Sequence, residues 1–364
     1  MAELRDERLR DDAGAFDAFA RLLPLDPDDS RARERMLEIA RRVGAQERAA
    51  GVLMTTAGEA SSPVPRAEIL MDVARLYEKD LTSEDRAEAI YRQVLQLAPE
   101  DRSIALPACR SLERVYARGD SRQLCDVLRI EVRLEENTEV RRELLGRLGE
   151  LCETMHDDPG SAVTAWRERL EIDPSDSQAL LALDRLYERT QSFADLVEVL
   201  RVRERQADEP GARRALSVRI AATLADKLTD VGGAILAFRA VTDEFGPDRA
   251  SLGSLATLYE IADRWQDLAD CLESDLALAE SPADQLALLL RLGEVRQGKL
   301  TDVAGAIDAY RRALGIDPQS DRCRSALEGV LEDEAAQREA AAILRPLYER
   351  DRLHEKLLRV VGIE

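Results

Sequence analysis

Histidine is nearly missing from this sequence. His156 and His354 are the only two, and neither has a second histidine or a cysteine at ligand spacing, so a metal centre or an imidazole base has little to be built from. Lysine is almost as scarce: Lys79, Lys227, Lys299 and Lys356 stand among 52 basic residues, the rest arginine. The five cysteines (Cys109, Cys125, Cys152, Cys271, Cys323) are odd in number and contain no Cys-x-x-Cys pair, which argues against a disulfide framework. They read as small buried thiols in a reducing compartment. The longest apolar run, Leu286–Leu290, is far too short to span a bilayer. Met1–Arg10 is charged throughout, unlike a secretory signal. These absences predict a cytoplasmic protein without membrane insertion. The charge balance is −20, from 72 acidic and 52 basic residues, which excludes a broad basic face for nucleic acid. It leaves basic or neutral partners, and acidic ones wherever arginines cluster.

Aromatic residues make up only 4% of the chain, yet five of them keep time. Phe19, Tyr91, Trp166, Phe238 and Tyr310 follow one another at 72, 75, 72 and 72 residues. Pro27, Pro99, Pro174, Pro247 and Pro318 follow at 72, 75, 73 and 71. Such spacing marks an internal repeat. Within 179–247, Leu180, Leu183, Leu186 and Tyr187 give one helical stripe, and a second begins at Phe193, Leu196 and Val197. Leu216, Ile220 and Leu224 give a third; Val231, Ile235, Phe238 and Val241 give a fourth, ended by Gly246-Pro247. One period is thus two helix pairs, each too small to bury its own stripe, so neighbours must stack. With apolar content of 45% and sparse strand formers, the fold class is all-α.

These residues resemble the tetratricopeptide repeat (TPR) family. Leu148-Gly149, Ala162, Trp166 and Pro174 match its helix-turn-helix pattern in order, and Leu292-Gly293, Ala306, Tyr310, Ala313 and Pro318 match better. The alternate pairs depart from it: Leu124, Leu196 and Leu268 stand where the small alanine belongs, and no proline ends them. HEAT-like helix pairs are the competing solenoid. The resemblance implies a right-handed α-solenoid superhelix of stacked antiparallel helix pairs, with helix A of each pair lining a concave groove. The domain reading is one array over 1–364 of about nine pairs, with 1–27 a truncated first pair and 320–364 an incomplete end. Counting back to Leu9 leaves too few residues for a full first helix, which suggests a piece of a longer array. Gly58–Pro65 and Asp101–Pro107 read as connections, and Pro346 as the start of a last helix, Leu347–Val361.

Motifs with chemical promise all have a structural explanation. Gly293–Lys299 satisfies G-x4-G-K, but Leu300 stands where a phosphate loop needs Ser or Thr, and Gly293 is the repeat's own glycine. His156 falls 72 residues before Leu228, at a leucine position near a helix end; His354 has charged neighbours and reads as solvated. Trp166 reads as a packing aromatic, and Trp265, 72 residues after Phe193, as a staple across a turn. Cys109 and Cys152 are placed one 72-residue repeat before Leu181 and Leu224, both apolar helix positions. Acidic doublets at loops read as helix caps. There is no nucleophile elbow and no dinucleotide loop, so no catalytic, metal or cofactor residue is assigned.

Function is expected on the groove wall. The family's inward positions fall here on Arg114, Arg118, Arg147, Glu150, Glu153, Arg185, Glu188, Arg219, Arg291 and Glu294. Their arginines could fork onto a ligand carboxylate; the alternative is that they pair within their own exposed helices. The resulting expectation is a non-enzymatic scaffold that binds a peptide or helix of another protein. The alternatives are a regulatory region of a larger enzyme, or a self-assembling protein joined through exposed repeat ends.

Overall fold

The computed structural model describes residues 11–117, 119, 121–155 and 157–363; the expected shortened helix around Leu9 lies outside them, as do Arg118 and His156. Twenty helices and no strand occur among the described residues. They are α1 (Asp12–Leu22), α2 (Ser30–Val43), α3 (Gln46–Glu59), α4 (Pro63–Lys79), α5 (Glu84–Leu97), α6 (Arg102–Tyr116), α7 (Ser121–Leu134), α8 (Thr138–Thr154), α9 (Pro159–Ile172) and α10 (Ser177–Arg189), followed by α11 (Phe193–Gln206), α12 (Pro210–Asp226), α13 (Val231–Phe245), α14 (Arg249–Ile261), α15 (Trp265–Leu278), α16 (Pro282–Gly298), α17 (Val303–Ile316), α18 (Asp321–Val330), α19 (Gln337–Asp351) and α20 (His354–Val361). The chain divides into two compact units, Met1–Leu186 and Tyr187–Glu364. Within each, helices pack chiefly on their neighbours in sequence, with α4 on α6 and α17 on α19 in addition. This is the contact pattern of stacked helix pairs.

The five repeat aromatics sit on α1, α5, α9, α13 and α17, and all are buried. Tyr91, Trp166, Phe238 and Tyr310 sit on helices that pack against the helix before them. A Cβ on Gly149 would lie 2.6 Å from the Trp166 ring, and one on Gly293 2.4 Å from Tyr310, so the Leu-Gly glycine clears a notch for the ring. The residue thirteen before each ring varies with the ring. Tyr91 Oη donates to Glu78 Oε2 (2.6 Å) and Tyr310 Oη to Gln297 Oε1 (3.1 Å). Phe238, with no hydroxyl, has Ala225 at that place. Trp166 has Glu153 there, and its buried Nε1 finds no acceptor. Leu124, Leu196 and Leu268 of the degenerate pairs are buried too, so leucine fills the same site as the small alanine.

Tight turns join the two helices of a pair. Thr82, Asp157, Thr229 and Thr301 have φ of 48°, 47°, 50° and 55° at successive repeats, and Gln191 and Asp263 have 57° and 53° in the degenerate pairs. None is glycine. The next residue opens a helix: Asp158, Asp230 and Asp302 accept from the N–H of Ser161, Gly233 and Gly305 at 3.1, 2.9 and 2.9 Å.

Three expectations about proline are corrected. Pro63 and Pro65 belong to the first turn of α4, where the first N–H groups have no helical acceptor, so the expected eight-residue loop shrinks to 60–62. Pro107 lies inside α6 rather than in a connection, and Pro346 lies inside α19, which ends at Arg352 with φ of 58°. Both helices continue on side-chain burial despite the lost hydrogen bond. The register of Cys109 also shifts by one: its fully buried counterpart is Leu180, whereas Leu181 is 46% exposed.

Candidate interaction surface

The even-numbered helices are the first members of the pairs, and their outward residues join them across the stack. In the first unit the buried Arg33 and the exposed Arg41 of α2 reach Asp72 on α4 (3.3 Å) and Asp80 just past its end (3.0 Å). Arg114 of α6 reaches Glu78 of α4 at 2.7 Å, Arg147 of α8 reaches Glu113 of α6 at 2.6 Å, and Arg185 of α10 reaches Glu153 of α8 at 3.5 Å. Gln178 donates to Glu150 at 2.9 Å. In the second unit Arg219 of α12 binds Glu188 (2.8 Å), Arg291 of α16 binds Glu260 of α14 (2.8 Å), Arg322 binds Glu294 of α16 (2.7 Å), and Lys356 of α20 binds Glu328 of α18 (2.6 Å).

Nine of the ten residues assigned to the groove wall are described, and all nine have a partner on a different helix; Arg118 falls outside the described residues. The partner is on the next even helix, not one turn along the same one. This arrangement differs from the within-helix pairing that spacing alone allows. The arginine side chains remain 35% to 65% exposed in these pairs. Each exposed pair stabilises by about 0–1 kcal/mol. Together they present alternating guanidinium and carboxylate groups that a ligand can compete for.

A recess of about 220 Å³ lies among α2, α4 and α6 in the first unit. Arg33, only 5% exposed, fixes it by donating to Asp72 and to the Pro27 carbonyl at 2.9 Å. Burial pushes the Asp72 carboxyl up despite Arg33 and Arg75 beside it. For Glu78 burial works the other way from its partners: hydrogen bonds from Tyr91 and Arg114 win, and its carboxyl stays below the ordinary range.

A second charged cluster was not singled out by the sequence. Glu131 on α7 is 2% exposed, and its Oε2 has no hydrogen-bond partner. It faces Glu113 of α6, with Arg110 of α6 and Arg147 of α8 nearby. Burial, then the adjoining Glu113 carboxyl, push Glu131 up to about 7. A sequence signal did exist: Arg203 and Asp275 stand 72 and 144 residues later, each a charge on an otherwise apolar stripe. Asp275 is buried against Arg249 at 3.0 Å.

The other sequence candidates have packing roles. All five cysteines are free and buried; burial raises each thiol, and Cys125 and Cys152 adjoin each other between α7 and α8. Lys299, from the G-x4-G-K match, lies 4.4 Å from the centre of the half-buried Trp265 ring, and Lys227 lies 5.7 Å from Phe193, one repeat earlier. His354 is exposed at the start of α20, and His156 lies outside the described residues. Among the described residues no helix is long and apolar enough to cross a membrane.

No family model matches this chain, and no curated protein matches it. Solved structures do match. MamA is 18% identical, covering 57% of this chain and 96% of its own, with a TM-score of 0.28. The human IFIT1 dimer with m7Gppp-AAAA is 15% identical over 100% of this chain and 87% of that one, with a TM-score of 0.28. A chain of Naa15/Naa10 bound to HypK-THB is 14% identical over 99% and 66%, with a TM-score of 0.37. At these scores the matches say nothing about ligand or partner, and the functional reading rests on this chain's own residues.

Proposed function

We propose that this chain is a non-enzymatic interaction scaffold that holds an extended peptide or a helix of a partner protein against its even-numbered helices. The observation that carries the reading is the series of half-exposed arginine–carboxylate pairs, repeated from one even helix to the next within each unit. A surface that repeats at the pitch of a helix pair suits a ligand that is itself extended. Mixed charge of this kind favours selectivity and register over raw affinity, because a ligand must replace existing pairs with its own.

Photo-crosslinking in the source organism's extract tests the reading. Crosslinkers at Glu150 and Arg219 capture a protein partner, while crosslinkers at Leu236 and Met54, exposed on the odd helices α13 and α3, do not. No capture from the first pair, or equal capture from all four, sinks the proposal.

A further inference from the structure

The opposite side of α8 carries a different kind of site. A cleft of about 480 Å³ runs between α7 and α9, with α8 beneath it. Its floor is apolar: Val132, Leu145, Leu148 and Ala165 are all buried. Three guanidiniums rim it, Arg129, Arg133 and Arg141, against one carboxylate, Glu168. On the helical wheel of α8, Arg141, Leu145 and Leu148 lie half a turn away from Arg147, Glu150 and Glu153.

Two of these arginines, Arg133 and Arg141, are held more loosely than those of the even-helix face. Arg133 is 3.7 Å from Glu100 and Arg141 is 3.9 Å from Glu168, both beyond hydrogen-bond reach. Arg129 donates to Ser161 Oγ (2.9 Å) and Asp126 (3.3 Å). The buried Nε of Arg141 has no acceptor at all.

The repeat supplies its own comparison. One period later Arg201, Arg205 and Arg213 recur, but Val132 and Leu145 are replaced by Glu204 and Ser217. Ser217 Oγ donates to Glu204, and Arg213 is taken up by Glu244 and the Ala207 carbonyl. A further period on, Glu273 replaces the first arginine and binds Arg296 and Arg312. An apolar floor under three guanidiniums, two of them loosely held, is kept in the α7–α9 cleft and in neither of these two counterparts.

We infer that the α7–α9 cleft binds an acidic–apolar peptide segment of a partner protein, a Glu or Asp carboxylate on the arginines and a neighbouring bulky apolar side chain on the floor. The charge complementarity is local, since the chain as a whole carries −20. Fork-shaped guanidiniums suit a carboxylate, and the size suits a side chain or two. The inference rests on the scaffold reading and adds a second contact to it.

The probe is an array of short capped peptides in which Glu or Asp neighbours Leu, Ile or Phe, each with a Gln or Asn counterpart, read by fluorescence anisotropy on the full chain. Acidic members bind about tenfold more tightly than their amide counterparts. Arg129→Gln with Arg133→Gln, both exposed positions, removes that preference. Val132→Glu with Leu145→Ser, the pair found one repeat later, closes the cleft. No acidic preference, or one that survives the double arginine change, overturns the site. So does free hexanoate binding as tightly as the best peptide, which assigns the cleft to small carboxylates. Crosslinking at Glu150 and Arg219 is untouched if only the cleft inference fails, and is lost if the scaffold reading fails.

Discussion

Phe238 offers a test of how the pairs are held together. Its ring is 3% exposed, in the place that Tyr91 and Tyr310 occupy in their own pairs. Those tyrosines donate to Glu78 and Gln297, thirteen residues earlier, and Phe238 has Ala225 there. Phe238→Tyr adds a buried hydroxyl with no acceptor, at a cost of about 1–3 kcal/mol. Ala225→Gln alone, at a half-buried position, changes stability by about 0.5 kcal/mol or less. The double change recreates the Tyr310–Gln297 pair and recovers about 1 kcal/mol or more, so the coupling between the two sites is about 1–2 kcal/mol. Urea unfolding of the four proteins measures it, provided the denaturant slope stays constant. If Phe238→Tyr is as stable as the parent, or if the two changes simply add, the hydrogen bond is incidental to the packing of the pair.

Gly149→Ala pushes a methyl group to 2.6 Å from the Trp166 ring and destabilises by about 1–2 kcal/mol, while Gly253→Ala on α14, with open space around it, stabilises by about 0.5–1 kcal/mol; thermal unfolding of the two separates close packing from helix propensity. Thr301→Asn relieves a β-branched residue at φ of 55° and stabilises by about 0.5–1 kcal/mol in the same assay. Glu131 gives a pH effect of defined sign. Its folded carboxyl titrates near 7, above an ordinary 4.5, so the folded state binds the proton more tightly. The resulting stabilisation is complete below the ordinary range and is lost as pH rises through 7. Glu131→Gln, which stays neutral, therefore matches the parent at low pH and exceeds it by up to about 3 kcal/mol at pH 8; equal denaturation midpoints at pH 8 refute the assignment.

Much of the architecture was readable because a repeat states its own rules several times over. The period of the aromatics located the second helix of each better-matched pair, and the Leu-Gly pairs located the first. Prolines were misread at Pro63, Pro107 and Pro346 because a proline's effect depends on whether its missing N–H falls in a first turn or inside a helix held by packing. The left-handed turn residues were not readable either. Thr82, Thr229 and Thr301 are poor choices for that geometry, and only the fixed ends of the two helices impose it.

The candidate surface on the even-numbered helices was named in the sequence as a set of positions but not as a set of contacts. The family resemblance placed Arg114, Arg147 and Arg185 on the groove wall, yet it could not say that each meets an acid some thirty residues away, on the preceding even helix. Glu131 and the arginines of the α7–α9 cleft went unremarked for the same reason: a charge on a stripe looks alike whether it ends in solvent, beside another carboxylate, or above an apolar floor. By itself the sequence determined most of the helices, their pairing and the buried side of most of them, since these follow from periods of 3.6 and 72 residues. Tertiary structure alone decided which charges meet and which cavities stay open, because those depend on distances between helices that no local spacing encodes.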